Sequence, residues 1–158
     1  MGKSVIDFLW KGTFELSTPQ NGDVIKVSRW NGLYAHYGIY VDTSDGGHVI
    51  HYTGEDKHSD FKGVIRETSF EEFLNGDKNY SVRKFDKDKY PHIYSGKETV
   101  KRARSKIGES KYNLAFNNCE HFAVWCKTGK SVSSQTEILD VSSIPDKILS
   151  FVENVVSF

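Results

Sequence analysis

One segment of the chain has the residue types of a nucleophilic site. It reads Asn-Asn-Cys-Glu-His-Phe-Ala-Val-Trp-Cys over residues 117–126. Asn117 or Asn118 can cap a helix, and the apolar residues that follow recur at helical spacing. Cys119 would then lie in the first helical turn, where backbone N–H groups and the helix dipole favour a thiolate. A cysteine in an amphipathic helix can equally be a small buried apolar residue, so this segment alone leaves both interpretations open.

A cysteine nucleophile needs an imidazole to take its proton and a third group to orient that imidazole. Three of the six histidines lie in a segment that has the pattern of a β-hairpin. Its strands are Tyr34–Val41 and His48–Thr53, which are rich in aromatic and β-branched residues, and its turn is Asp42–Gly47. The hairpin is therefore the candidate source of the base.

The register of the hairpin decides which histidines share a face. We assume that Val41 pairs with His48. His36 then lies opposite Thr53, and His51 is its diagonal neighbour on the same face. His48 points to the other face, and a shift of one residue would bring His48 onto the shared face instead.

The remaining pattern predicts an α+β fold, with an antiparallel meander of about five strands packed against helices. The predicted strands are residues 23–29, 34–41, 48–53, 63–68 and 80–85, and the predicted helices are 69–76, 97–107 and the Cys119 helix, which ends near Gly129. Ser69 and Glu72 form a capping box, with Gly76 as the stop. In the second helix Val100, Ala103 and Ile107 form the predicted apolar face. We interpret the opposite, basic face as solvated surface, and the alternative is that it binds a phosphate or a lipid headgroup.

Composition excludes several classes of protein. The 158 residues contain 21 Lys and Arg against 21 Asp and Glu, so nothing indicates a nucleic-acid partner. The two cysteines lie on one predicted helix, badly placed for a disulfide, which is typical of a reducing compartment. The sequence has neither an apolar run long enough to span a membrane nor the pattern of a signal peptide. We therefore expect a cytoplasmic location.

These motifs together resemble a known family. Asn118-Cys119-Glu120-His121-Phe122, with the strings His-Tyr-Gly-Ile-Tyr-Val over 36–41 and Val-Ile-His over 49–51, is similar to the lecithin:retinol acyltransferase family. That family includes small phospholipase A/acyltransferase proteins and is distantly similar to NlpC-type cysteine peptidases. The resemblance implies a circularly permuted papain-like arrangement. It covers residues 19–135 as an expected catalytic domain, preceded by an arm or short helix over 1–18 and followed by an amphipathic segment over 136–158.

The resemblance also assigns roles by position. Cys119 matches the nucleophile, His36 the general base and His51 the orienting histidine, which chooses His51 over His48. Tyr34 matches a position that helps to hold an oxyanion beside the Cys119 N–H, and Asn118 supports the same site.

Neighbouring residues are expected to be structural. Glu120 and His121 would tie the helix to the sheet, since His121 lies about 200° around the helix from Cys119. Cys126 is expected in the core, and His58 and His92 have no evident role.

The implied chemistry is acyl transfer through a thioester. The partners are a glycerophospholipid substrate, an acyl acceptor (water, an amine or an alcohol) and a membrane surface contacted transiently. No cofactor is implied, and Cys119 with two histidines lacks the close ligand pairs of a zinc site. The rival interpretation is a non-catalytic module like the picornaviral 2A proteins of the H-box/NC type, and a third is an NlpC-type peptidase, which the Asn-Cys-Glu-His-Phe string argues against.

Two features depart from the family pattern. The turn Asp42–Gly47 is longer than usual, and a modest amphipathic segment over 144–158 stands where many relatives have a hydrophobic anchor. This segment either docks on the core, which we favour, or lies in a membrane interface.

Overall fold

The computed structural model describes residues 13–15, 17–29, 34–54, 62–112 and 118–131. These residues form a seven-stranded antiparallel sheet and three helices, with the spatial strand order β1-β6-β2-β3-β4-β5-β7. The strands are β1 Thr13–Glu15, β2 Val24–Arg29, β3 Tyr34–Val41, β4 His48–Gly54, β5 Lys62–Ser69, β6 Tyr80–Lys84 and β7 Ser110–Tyr112; the helices are α1 Phe70–Leu74, α2 Gly96–Arg104 and α3 Asn118–Thr128.

The predicted α+β class is confirmed, and all five predicted strands are present. Strands β2 to β5 form the meander, but β6 returns to the far side of β2 and pairs with it, so the expected five-strand meander is wrong in the position of β6. The two edge strands β1 and β7 were not predicted, because three residues are too few to show an alternating pattern.

Part of the predicted N-terminal arm is strand β1, which pairs with β6. The expectations for residues 1–12, for Asn117, for His58 and for the C-terminal segment 136–158 lie outside the described residues. No helix in the described ranges is long and apolar enough to cross a membrane.

Two groups of buried side chains lie on the two faces of the sheet, because successive residues of a strand point to opposite faces. The first, the α3-side group, packs under α2 and α3 and contains Val24, Ala35, Tyr37, Ile39, Val41, Ile50, Tyr52, Ile65, Val100, Ala103, Cys119, Phe122, Ala123 and Cys126. The second, the α1-side group, contains Ile25, Val27, Tyr40, Val49, Phe73 and Val82. The candidate nucleophile is thus part of the α3-side group.

Local signals set the ends of the helices. The Ser69 hydroxyl accepts a hydrogen bond from the Glu72 N–H at 3.1 Å, as the capping box predicts. Helix α1 is capped by Asn75, which has a left-handed φ of 49°, and the predicted stop Gly76 follows with a φ of 81°.

Helix α2 is shorter than predicted. It begins after the N-cap Ser95 and ends at Arg104, so Ile107 follows the helix in a turn and is 44% exposed. The prediction that Ile107 shares the buried face is therefore wrong, whereas Val100 and Ala103 are buried.

Candidate active site

The hairpin register is the one predicted. Its three Cα pairs are Ile39 with Ile50, Tyr40 with Val49, and Val41 with His48. As a result, His36 Nε2 and His51 Nδ1 lie 2.9 Å apart, within hydrogen-bond distance. The two histidines that the sequence singled out are therefore brought together.

His48 takes no part in this pair. Its Nε2 lies 3.0 Å from Asp45 Oδ2 and its Nδ1 lies 3.2 Å from Glu67 Oε1. These hydrogen bonds, first to Asp45 and then to Glu67, raise the pKa of His48. The prediction that His48 points away from the shared face is consistent with these contacts.

Gly38 makes room for the histidine pair. A Cβ at this position would lie 2.4 Å from Val49 Cγ1, 3.1 Å from Phe73 Cε2 and 3.2 Å from His51 Cβ. Because the backbone is bare here, the Phe73 ring can contact both imidazoles, with centroid distances of 5.3 Å to His36 and 5.0 Å to His51. Phe73, which the sequence analysis did not identify, therefore forms one wall of the site.

The imidazoles are held neutral. Burial lowers the pKa of His51 to about 4 and lowers the pKa of His36 well below its usual value. Arg29 adds to both effects, because its charge disfavours a second cation nearby. Its guanidinium is fixed at the end of α1, where it donates to the carbonyl oxygens of Phe73 and Leu74. A neutral imidazole is the form that can accept a proton.

A third strand supplies a further partner. His51 Nε2 lies 2.8 Å from the Thr68 hydroxyl oxygen. In the register between β4 and β5, Val49 pairs with Thr68 and His51 pairs with Arg66, so Thr68 is the diagonal neighbour of His51. The sequence analysis missed this residue, because the sequence gives no register between the second strand of the hairpin and the next strand.

Cys119 is the second residue of α3 and is 1% exposed. Its thiol donates to the Ala35 carbonyl oxygen at 3.6 Å. That carbonyl carbon is bonded to the backbone nitrogen of His36, so the thiol lies beside the peptide that joins Ala35 to His36. Alternation along β3 directs Ala35 into the α3-side group with Cys119, and directs His36 toward Phe73 of the α1-side group.

Two predicted supporting residues lie at element ends. Asn118 is the first residue of α3 and is half-buried. Tyr34 is the first residue of β3, where it pairs with Arg29. Their roles at an oxyanion remain predictions.

Two other residues of the Cys119 helix have the structural positions predicted for them. Glu120 Oε1 accepts a hydrogen bond from Arg83 Nη1 of β6 at 2.7 Å, so Glu120 does tie the helix to the sheet. The tie predicted for His121 stays a prediction. Cys126 is buried in the core, as expected, and burial raises the pKa of its thiol to about 12.

His92, for which the sequence indicated no role, lies outside this site. Its ring contacts that of Tyr94, with ring centroids 4.3 Å apart.

Within the part of the chain that the structure describes, no three His, Cys, Asp or Glu side chains converge as a metal site requires.

Comparison with known proteins places the chain in a family. The family model described as lecithin retinol acyltransferase matches residues 17–132. Lecithin retinol acyltransferase from Rattus norvegicus is 29% identical over 146 residues, which cover 80% of this chain and 62% of that protein. Phospholipase A and acyltransferase 2 from Homo sapiens is 33% identical over 129 residues, which cover 74% of this chain and 75% of that protein. Phospholipase A and acyltransferase 1 from Homo sapiens is 30% identical, with 77% of each chain covered.

The chain spans about three fifths of the length of the lecithin retinol acyltransferases that it matches. The family model nevertheless matches most of this chain, including the hairpin and the Cys119 helix. The chain belongs to the lecithin retinol acyltransferase family.

Proposed function

We propose that this chain is a thiol-dependent phospholipid acyl hydrolase or acyltransferase that works through an acyl thioester on Cys119. The observation that carries the proposal is the neutral, hydrogen-bonded pair of His36 and His51 in a chain of this family. The names of its relatives, acyltransferase and phospholipase, support acyl transfer as the reaction class.

The first half of the proposed reaction forms the thioester. His36 takes the proton of Cys119, and the sulfur attacks an ester carbonyl of a glycerophospholipid. The oxyanion is held by the Cys119 N–H and by Tyr34, with Asn118 supporting the site. His36 then returns the proton to the departing oxygen, and the lysophospholipid leaves.

The second half transfers the acyl group. Water gives the hydrolase outcome, whereas an amine or alcohol gives the acyltransferase outcome. His36 takes the proton of this acceptor and returns it to the sulfur as the thioester breaks. This route uses protein groups alone and requires neither a metal nor a cofactor.

The proton transfer has a structural consequence. The Cys119 thiol uses its proton to donate to the Ala35 carbonyl oxygen. In our proposal, activation exchanges that acceptor for the imidazole of the next residue, His36. Because His51 Nδ1 lies 2.9 Å from His36 Nε2, it can accept a hydrogen bond from the imidazolium that forms and stabilise it.

The proposal also covers the organisation and location of the chain. Residues 19–135 are proposed as a catalytic domain with a circularly permuted papain-like arrangement, with 1–18 and 136–158 as the segments on either side. The protein is cytoplasmic and meets its lipid substrate by transient contact with a membrane surface.

One observation favours a second candidate, a non-catalytic interaction module. Cys119 is 1% exposed and belongs to the α3-side group, while His36 packs against Phe73 of the α1-side group. Such packing is what a thiol retained for structure would have.

Release of lysophospholipid separates the two candidates. Short-chain phosphatidylcholine is supplied as monomers and in detergent micelles to the wild type and to Cys119→Ala, His36→Gln and Cys126→Ala. We expect Cys119→Ala to lose activity by about 10³-fold or more and His36→Gln by about 10²- to 10⁴-fold. Cys126→Ala, the matched control, should retain activity. Wild-type release no faster than that of Cys119→Ala would favour the interaction module.

A further inference from the structure

The histidine pair extends to a hydroxyl on a third strand. His36 Nε2 lies 2.9 Å from His51 Nδ1, and His51 Nε2 lies 2.8 Å from Thr68 Oγ1. Thr68 Oγ1 also donates to the Ser69 carbonyl oxygen at 3.3 Å. These three hydrogen bonds form a line from β3 through β4 to β5.

The donor and the acceptor of each of these hydrogen bonds can be assigned in turn, because a hydroxyl has only one proton to donate. If that proton goes to Ser69, Thr68 can only accept from His51, so His51 carries its proton on Nε2. The Nδ1 lone pair of His51 then accepts from a proton on His36 Nε2. This arrangement leaves Nδ1 as the basic nitrogen of His36.

In the opposite order of donors and acceptors, neither nitrogen of His36 could accept a proton from Cys119. If Thr68 donated to His51 Nε2, His51 would carry its proton on Nδ1 and donate to His36 Nε2. The proton of neutral His36 would then lie on Nδ1, and Nε2 would already be occupied as an acceptor. The bond from Thr68 to Ser69 favours the first assignment, since it uses the hydroxyl proton elsewhere.

We propose that Thr68 is a positioning residue that holds His51 in the Nε2–H tautomer, so that His36 presents Nδ1 as its basic nitrogen. The inference rests on the proposed function, in which His36 is the base. A hydroxyl here does for His51 what a carboxylate does for histidine in the serine-protease triad, but without adding a charge.

The charged groups around the two histidines do not determine which nitrogen of His51 carries the proton. Arg29 of β2 acts on both imidazoles, and Arg66 of β5 is the cross-strand partner of His51. Glu71 and Glu72 of α1 are exposed. The nearby cations disfavour an imidazolium without choosing between the two neutral tautomers of His51. Burial lowers the pKa of this ring, although a backbone hydrogen bond at Tyr52 acts against this effect. The contact to which we assign the choice of tautomer is the one to Thr68, at 2.8 Å.

Long-range ¹⁵N–¹H NMR of the imidazoles at pH 7 tests the assignment directly. The variants are Thr68→Val, which keeps the shape and removes the acceptor, Thr68→Ala as a second removal, and Thr68→Ser, which retains the hydroxyl. We expect the Nε2–H pattern for His51 in the wild type and in Thr68→Ser, and a shift toward Nδ1–H or exchange broadening in the other two. A wild-type His51 pattern in a folded Thr68→Val or Thr68→Ala protein would overturn the proposal.

Kinetics give the second readout. We expect Thr68→Val to lower kcat by about 10- to 100-fold with little change in KM, and Thr68→Ser to restore it. A wild-type kcat in Thr68→Val would overturn the positioning role. If the tautomer responds as expected but even the wild type releases no lysophospholipid, the proposed function fails while the structural assignment stands.

Discussion

Arg83 Nη1 donates to Glu120 Oε1 at 2.7 Å, across the contact between β6 and the helix that carries Cys119. The side chains are 6% and 14% exposed. Arg83 Nη2 also donates to the Tyr90 hydroxyl at 3.3 Å. Burial raises the pKa of the Glu120 carboxyl, although Arg83 acts against this effect. Because Glu120 directly follows Cys119, the ion pair fixes the rotation of the helix at the thiol.

Removing one partner of this pair should be much more harmful than removing both. Arg83→Met leaves a buried carboxylate without its cation, and we expect it to lower the free energy of unfolding by about 3–5 kcal/mol. The double variant Arg83→Met/Glu120→Leu should recover most of that loss, because neither charge of the pair remains. Urea unfolding of the two single variants and the double variant measures the coupling. Additive effects would contradict this account of the ion pair.

The stability of the protein should fall in mild acid. Unfolded histidine has a pKa near 6.5, whereas His51 in the folded protein has a pKa of about 4. Between these values the unfolded chain binds the proton and the folded protein does not, so stability falls as the pH is lowered. His51 alone should contribute about 3 kcal/mol over this window, at about 1.4 kcal/mol per pKa unit.

Denaturant unfolding of the wild type and of His51→Asn at pH 7, 6 and 5 measures this dependence. His51→Asn should flatten the fall in the free energy of unfolding between pH 7 and pH 5. A wild-type slope in His51→Asn would show that other groups cause the acid sensitivity.

Gly38 should be intolerant of even a methyl group. In Gly38→Ala the new Cβ would lie 2.4 Å from Val49 Cγ1, which we expect to lower the free energy of unfolding by about 1–3 kcal/mol. Val49→Ala removes the clashing methyl, so the cost of Gly38→Ala should be smaller in the Val49→Ala background. A double-mutant cycle by thermal unfolding checks this, and a coupling energy near zero would contradict the close packing.

The hairpin was predictable because its two strands are rich in aromatic and β-branched residues and its turn is rich in Asp and Gly. A register that pairs Val41 with His48 was enough to bring His36 and His51 together. The position of β6 was not predictable in the same way, since strand order depends on how a long connection crosses the sheet rather than on local pattern.

The surroundings of the site depend on contacts between distant segments. Phe73 reads in the sequence as an apolar residue of a short helix, and only the return of that helix over β3 and β4 brings it against both imidazoles. Likewise, the burial of Cys119 against Ala35 depends on how α3 packs on β3. The motifs singled out Cys119, His36 and His51 as candidates, but they did not show which helix packs on which face of the sheet.

The central claim, an acyl thioester on Cys119, is tested most directly by intact-protein mass spectrometry after incubation with a short-chain phosphatidylcholine. Wild-type protein and Cys119→Ala are compared, with Cys126→Ala as the control for the second thiol. We predict an acyl-sized increase in mass on the wild type and on Cys126→Ala, removed by hydroxylamine and missing from Cys119→Ala. Lysophospholipid released by the wild type with no adduct on a rapid acid quench, or an adduct that persists in Cys119→Ala, would contradict the claim.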